Sequence, residues 1–137
     1  ALCVSPGRDD LHLYFRLHPQ VNINADSVLI FLRNLRRQLP GPIFLIWDRL
    51  CAHRARRVQD FLHAKDMHAF FLPAYAPELN PAENVWSYLK MNPLANLPTM
   101  DVDSLAQTTR HHGRSVQRKQ QLLRSFVRHS PLSLRLK

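Results

Sequence analysis

Apolar positions recur with two different periods in the first third of the chain. Leu11, Leu13, Phe15 and Leu17 alternate with His12, Tyr14 and Arg16, a period of two that predicts a half-buried strand. A short apolar run from Ala1 to Ser5 precedes it, and Pro6-Gly7-Arg8-Asp9-Asp10 reads as a turn between them. Residues 1–17 therefore read as a β-hairpin, ended by Pro19. From Asn24 the period changes. Val28, Phe31, Leu32, Leu35 and Leu39 fall at helical spacing, with Asn24 as N-cap and Arg33, Arg36 and Arg37 mostly on the wet face. Pro40-Gly41-Pro42 stops this helix.

Ile43 to Trp47 shows no polar alternation, which suits a central strand buried on both faces. The spacing of Ala55, Val58, Phe61 and Leu62 predicts a helix from Arg54 to Lys65, and Ala69 to Leu72 forms the next strand. Strand, helix, strand and helix in that order imply a parallel βαβ unit fed by the hairpin, hence one mixed sheet with helices packed on it. Pro73 to Pro81 is a stiff loop. The helix after it runs from about Pro81 to Met91, with Ala82, Val85, Trp86 and Leu89 inward and Glu83, Ser87 and Lys90 along one flank. Beyond Pro98, Val102, Leu105, Ala106 and Thr109 mark one short helix, and Val116, Leu122, Leu123 and Phe126 another. No internal repeat is present.

Composition adds a partner class. With 45% hydrophobic residues in 137, the chain can bury one domain's core and is not disordered by composition. Lys and Arg number 19 against 10 Asp and Glu, a net charge of +9. That surplus points to a polyanion, nucleic acid first, with a solvated basic face as the plain alternative. After Asp103 there is no acid, while Arg110, Arg114, Arg118, Lys119, Arg124, Arg128, Arg135 and Lys137 carry charge. Cys3 and Cys51 lack metal-binding or disulfide-framework spacing, which fits a reducing cytoplasm. No apolar stretch reaches the ~20 residues of a membrane span. There is no signal-peptide pattern, and an opening on Ala1 rather than Met implies lost upstream sequence.

Two acids carry candidate chemistry. Asp48 ends the apolar strand, at the sheet edge where ligand sites of α/β folds gather; equally, Asp there serves as a turn or cap residue. Glu83 stands at N3 after Asn80 at N-cap and Pro81 at N1, so it could turn back on the Asn80 amide as a capping box. Pointed outward instead, it could meet Asp48. Two convergent carboxylates suit a hard cation such as Mg²⁺ (or Mn²⁺). A pair of such ions roughly 3.5–4 Å apart would activate an attacking oxygen and stabilise a leaving one in phosphodiester chemistry.

The pattern Ile43-Phe44-Leu45-Ile46-Trp47-Asp48, then Leu72-Pro73-Ala74-Tyr75-Ala76-Pro77-Glu78-Leu79-Asn80-Pro81-Ala82-Glu83, with thirty-four residues between Asp48 and Glu83, resembles the DDE transposase superfamily, in particular the mariner-like bacterial insertion-sequence transposases. The resemblance covers most of residues 1–130, including Leu122 to Phe126 as a closing helix. It implies a ribonuclease H-like mixed α/β sheet flanked by helices, lacking its first strand and carrying a helical basic tail. It divides the chain into a truncated catalytic core, 1–97, and a basic helical extension, 98–137, packed on that core.

By the same resemblance, Asp48 is the second catalytic acid and Glu83 the third, both binding Mg²⁺ or Mn²⁺. Water attacks first, and the freed 3′-hydroxyl then attacks target DNA. The first aspartate lies upstream, so the isolated chain is expected to be inactive and to fold properly only with that upstream part of the same transposase. Asp9 and Asp10 sit in a turn and are poor substitutes. Arg49 replaces an asparagine common in the family. DNA, as transposon ends and target, is the implied partner. A homodimer, a bacterial, nucleoid-associated cytoplasmic location and no membrane complete the implication.

For DNA contact the candidates are Lys90, Arg54, Arg56, Arg57 and His53; the last, five residues after Asp48, could bond near the site or to a phosphate but reads more readily as a surface or helix-start histidine. His111-His112 is too isolated for a metal site. Tyr75 reads as loop packing, and Trp47 and Trp86 as core. The rivals are a decayed or split transposase remnant that at most binds DNA non-specifically, and a basic helical nucleic-acid module whose acids are only caps.

Overall fold

The opening alternation folds as an antiparallel pair, β1 (Leu2–Val4) against β2 (Leu11–Leu13), with Leu2 opposite Leu13 and Val4 opposite Leu11. The computed structural model describes residues 1–5, 10–92, 94–95 and 101–132, so most of the predicted turn, Asp9 included, lies outside the described residues. Asp10 is exposed just before β2. The ladder is shorter than the alternation predicts: Phe15 and Leu17 lie beyond it, half-buried.

The chain divides into two units, Val21–Pro77 and Ala1–Gln20 with Glu78–Lys137. In the first, α1 (Ala25–Gln38) starts where Asn24 predicts, the Asn24 Oδ1 accepting the Ser27 N–H at 3.0 Å. Gly41 follows with φ +77°, a left-handed turn that glycine takes without strain. Strand β3 (Ile43–Trp47) pairs in parallel with β4 (Met67–Phe71), Ile43 opposite Met67 and Trp47 opposite Phe71. Between them run α2 (Cys51–Arg54) and α3 (Arg56–Ala64). The single helix expected from Arg54 to Lys65 is broken at Ala55, whose ψ of 134° is extended. The break is sealed by Gln59, which donates its Nε2–H to the His53 carbonyl at 2.7 Å. Val28, Leu32, Ile43, Val58, Leu62 and Met67 close the core of this unit.

β3 is not buried on both faces. Ile43 is buried and Leu45 and Trp47 half-buried among that core, whereas Phe44 is 66% exposed and Ile46 and Phe70 are exposed beside it. A parallel pair with helices packed on one side shows its alternate residues to the other side, whatever their polarity. Phe44 therefore rests against His68 and Phe70 of the neighbouring strand, at ring separations of 5.2 and 6.3 Å.

The second unit joins the hairpin to α4 (Pro81–Met91), α5 (Val102–Gln117) and α6 (Gln120–Arg128). Leu11 and Leu13 pack with Val85, Leu89, Val116 and Leu123. Gln120 and Gln117 extend this packing with side-chain donation to the carbonyls of Leu11 (2.8 Å) and Leu13 (2.7 Å). Phe15 lies so close to Gly113 of α5 that a Cβ there would stand 2.7 Å from its ring.

The architecture is thus α/β, as the alternating periods predict. Among the described residues, however, the strands form two separate two-stranded sheets rather than one mixed sheet. The β3–β4 pair is closed by the α2–α3 crossover, and among the described residues neither ladder extends further.

Candidate active site at the end of strand β3

Asp48 follows the last residue of β3 directly. Its Oδ1 accepts the Leu50 backbone N–H at 3.0 Å, an aspartate turn that bends the chain toward α2. The turn role anticipated for this residue is therefore real, and it uses one oxygen. The same Oδ1 lies 2.7 Å from the His53 Nδ1. Oδ2 accepts no hydrogen bond from any described residue, and the carboxylate is 60% exposed.

His53 is held firmly. Its ring lies flat on the Trp47 indole, centroids 4.2 Å apart and planes 8° from parallel, and its side chain is only 18% exposed. Trp47 is half-buried in the core of the unit, and its Nε1–H has no partner among the described residues. Arg49 donates its Nε–H to the Leu72 carbonyl at 3.1 Å, while the Leu72 N–H bonds to the Trp47 carbonyl at 2.9 Å. These bonds tie the segment after β3 to the end of β4. The sequence marks Arg49 only as a departure from an asparagine and places His53 near the site without naming Asp48 as its partner. The five-residue spacing across a tight turn was the available signal.

Glu83 belongs to the other unit, in the first turn of α4. Asn80 caps this helix as predicted, its Oδ1 accepting the Ala82 N–H at 3.1 Å, and Pro81 stands at N1. The reciprocal half of the capping box does not form: among the described residues nothing donates to the Glu83 carboxylate, which is exposed. Lys90 is exposed in the last turn of the same helix. Trp86, expected in the core, is 39% exposed, because the buried face of α4 centres on Val85 and Leu89, with Tyr88 set edge-on to Phe126 at 5.7 Å.

The basic candidates differ in their commitments. Arg57 is paired in two-pronged fashion with Asp26 of α1, at 2.6 and 3.1 Å. Among the described residues, the exposed Arg56 makes no such pair, and Arg54 reaches the Cys51 Sγ at 3.9 Å. Tyr75, expected to pack within its loop, is instead fully exposed with φ +57°; the proline-flanked backbone turns it out. His111 and His112 meet only each other, edge to face at 5.3 Å.

Carboxylate oxygens with an open lone-pair direction, as on Asp48 and Glu83, are the donor type that hard divalent cations take. Among the described residues no three His, Cys, Asp or Glu side chains gather into a metal-sized group. No described helix is long and apolar enough to cross a membrane.

Comparison with known proteins gives one finding. A family profile described as DDE superfamily endonuclease matches residues 13–106. Neither the curated proteins nor the solved structures returned a match.

Proposed function

The chain belongs to the DDE superfamily endonucleases, and from that premise we propose that it is the C-terminal part of a DNA transposase's catalytic domain, of the mariner-like bacterial insertion-sequence type. Asp48 and Glu83 are its second and third metal-binding acids, and the first aspartate comes from upstream sequence. The observation that carries this reading is the extent of the family match, residues 13–106, which takes in both acids together with the Asn80-Pro81 loop.

In this reading the Asp48 Oδ2 and the Glu83 carboxylate are the oxygens that would hold Mg²⁺ or Mn²⁺. A bound ion would supply charge neutralisation at the phosphodiester and a lower pKa for an attacking water. The residues of this chain contribute position. Arg49 and the Asp48–Leu50 turn hold the first carboxylate at the strand end, and the Asn80 cap holds the helix start that carries the second. Arg54, Arg56, Lys90 and His53 contact the DNA backbone, with Arg57 held back by Asp26. Phosphate contacts of this kind give salt-sensitive binding with little sequence choice. The ribonuclease H-like sheet, completed by the upstream strand, the homodimer and the nucleoid-associated cytoplasmic setting belong to the same proposal.

Binding of Mn²⁺, followed by the paramagnetic signal of the free ion, tests it. Supplied with the upstream segment, the chain is expected to bind Mn²⁺ and to cleave a DNA duplex, and Asp48→Asn and Glu83→Gln are each expected to abolish or sharply weaken that binding. If both variants bound the ion as the unaltered chain does, the acids would be caps and turns alone, and the basic nucleic-acid module would be the better reading. Binding without cleavage in the presence of the upstream segment would favour the decayed remnant.

A further inference from the structure

We infer that His53 is a positioning residue that makes Asp48 a one-oxygen ligand, and so biases the site toward small octahedral cations and against Ca²⁺. This rests on the reading of Asp48 as a metal ligand given above.

An ionised carboxylate only accepts hydrogen bonds, so the 2.7 Å contact requires the His53 Nδ1 to carry a proton. The Oδ1 of Asp48 thereby receives two donors, the His53 ring and the Leu50 amide at 3.0 Å. Its two lone-pair directions are occupied, and Oδ2 is the oxygen left for a cation. Binding through both oxygens would require breaking at least one of these bonds.

The arrangement is imposed by the fold rather than by the two side chains alone. The ring is stacked on Trp47, itself part of the core, and the backbone just after it is clamped by Gln59 at the Ala55 break. Were the helix from Cys51 to Ala64 continuous, neither the extended Ala55 nor the Gln59 bond to the His53 carbonyl would exist. Partners that lock a ligand's orientation commonly change metal affinity about 10–100-fold when removed.

The selectivity follows from ligand number. Ca²⁺ takes 6–8 oxygens and often uses both oxygens of a carboxylate, whereas Mg²⁺ holds near-octahedral geometry at about 2.0–2.1 Å and keeps several waters. A carboxylate with one oxygen tied down serves the second cation better than the first. Mn²⁺, which shares the oxygen-rich octahedral habit, is the convenient probe.

The test uses the 137-residue chain joined to its upstream segment, with Mn²⁺ binding measured by the signal of the free ion and Mg²⁺ or Ca²⁺ added as competitor. The unaltered chain should bind Mn²⁺ and lose it to Mg²⁺ more readily than to Ca²⁺. His53→Phe keeps a flat ring on Trp47 but has no donor; Mn²⁺ affinity should fall about tenfold or more, and the preference for Mg²⁺ over Ca²⁺ should shrink. His53→Asn returns an N–H near the position of Nδ1 and should recover much of both. Nitrogen NMR of the unaltered chain, without metal, should show the His53 proton on Nδ1.

An unchanged cation preference in His53→Phe overturns the inference, as does a proton found on Nε2 alone. Loss in His53→Asn equal to that in His53→Phe overturns it too, since packing would then account for both. The two readings fail separately. If Asp48→Asn abolishes Mn²⁺ binding while His53→Phe leaves the preference intact, only the role of His53 is lost. If the unaltered chain binds no Mn²⁺, or Asp48→Asn binds it normally, the assignment of Asp48 falls, and this inference with it.

Discussion

The Asn84 side chain donates its Nδ2–H to the backbone carbonyl of Phe126 at 2.9 Å, joining α4 to the end of α6 across 42 residues of sequence. Ser130 does the same at the start of α4's approach, its hydroxyl donating to the Leu79 carbonyl at 3.0 Å. Asn84 is the neighbour of Glu83, and its anchoring fixes which face of α4 turns inward. Replacing Asn84 with Leu leaves the Phe126 carbonyl without this partner, a loss of about 1–3 kcal/mol for a poorly solvated group. Urea unfolding should show that cost, and amide exchange in α6 should quicken more than in α3.

The basic side chains proposed to contact DNA should separate by their existing commitments. Each of Arg54→Ala, Arg56→Ala and Lys90→Ala should weaken duplex binding and lower the log–log salt slope by about 0.9 if it contacts one phosphate. Arg57→Ala should do less, because Asp26 already occupies that guanidinium. Asp26→Ala should release Arg57 and tighten binding. Fluorescence anisotropy of a labelled duplex across a salt series reads all five chains, and a looser complex in Asp26→Ala would contradict the assignment.

Helix α5 should keep its N-terminus well into acid. The Asp101 carboxylate caps it, with Oδ1 accepting the Asp103 and Ser104 N–H groups at 3.0 and 2.9 Å and Oδ2 accepting the Ser104 hydroxyl at 2.7 Å. The hydroxyl first, and the amides after it, hold this carboxyl below its ordinary value of 3.8. A depressed folded-state value means that the cap's contribution is complete above 3.8 and is lost as pH falls through the lower, folded value. Amide exchange at Ser104 should therefore stay slow down to that acid range, then approach the rate seen in Asp101→Ala, where it should be fast throughout.

The two thiols should react in a fixed order. Burial pushes the Cys3 thiol above its ordinary value, leaving less thiolate at neutral pH, while Cys51 is exposed. Brief alkylation near pH 7.5 followed by mass spectrometry should find Cys51 modified well before Cys3. Equal labelling would mean that β1 opens on the time scale of the reaction.

Much of the local structure is written in the sequence. Asn24 and the apolar row Val28, Leu32 and Leu35 specify α1 from its cap to its buried stripe, because capping and helical spacing act within a few residues. Asn80 and Pro81 set the start of α4 for the same reason. The acid at the end of β3 could be found from its place after an apolar run.

Other features were settled only by packing between segments distant in sequence. Phe44 and Ile46 look like core residues in an apolar run, yet which face of a strand is covered depends on where the helices lie, and those of this unit cover the other. Trp86 fits the helical stripe of α4, but Asn84 and Tyr88 meet α6 and turn it outward. The sequence by itself determined most of the helices and strands and the Asn24 and Asn80 caps, since those follow from interactions along a single turn or strand. The tertiary structure decided which strand faces are covered and that Trp47 is fixed as the platform for the His53 ring, since that depends on how α1 and α3 pack over β3 and β4.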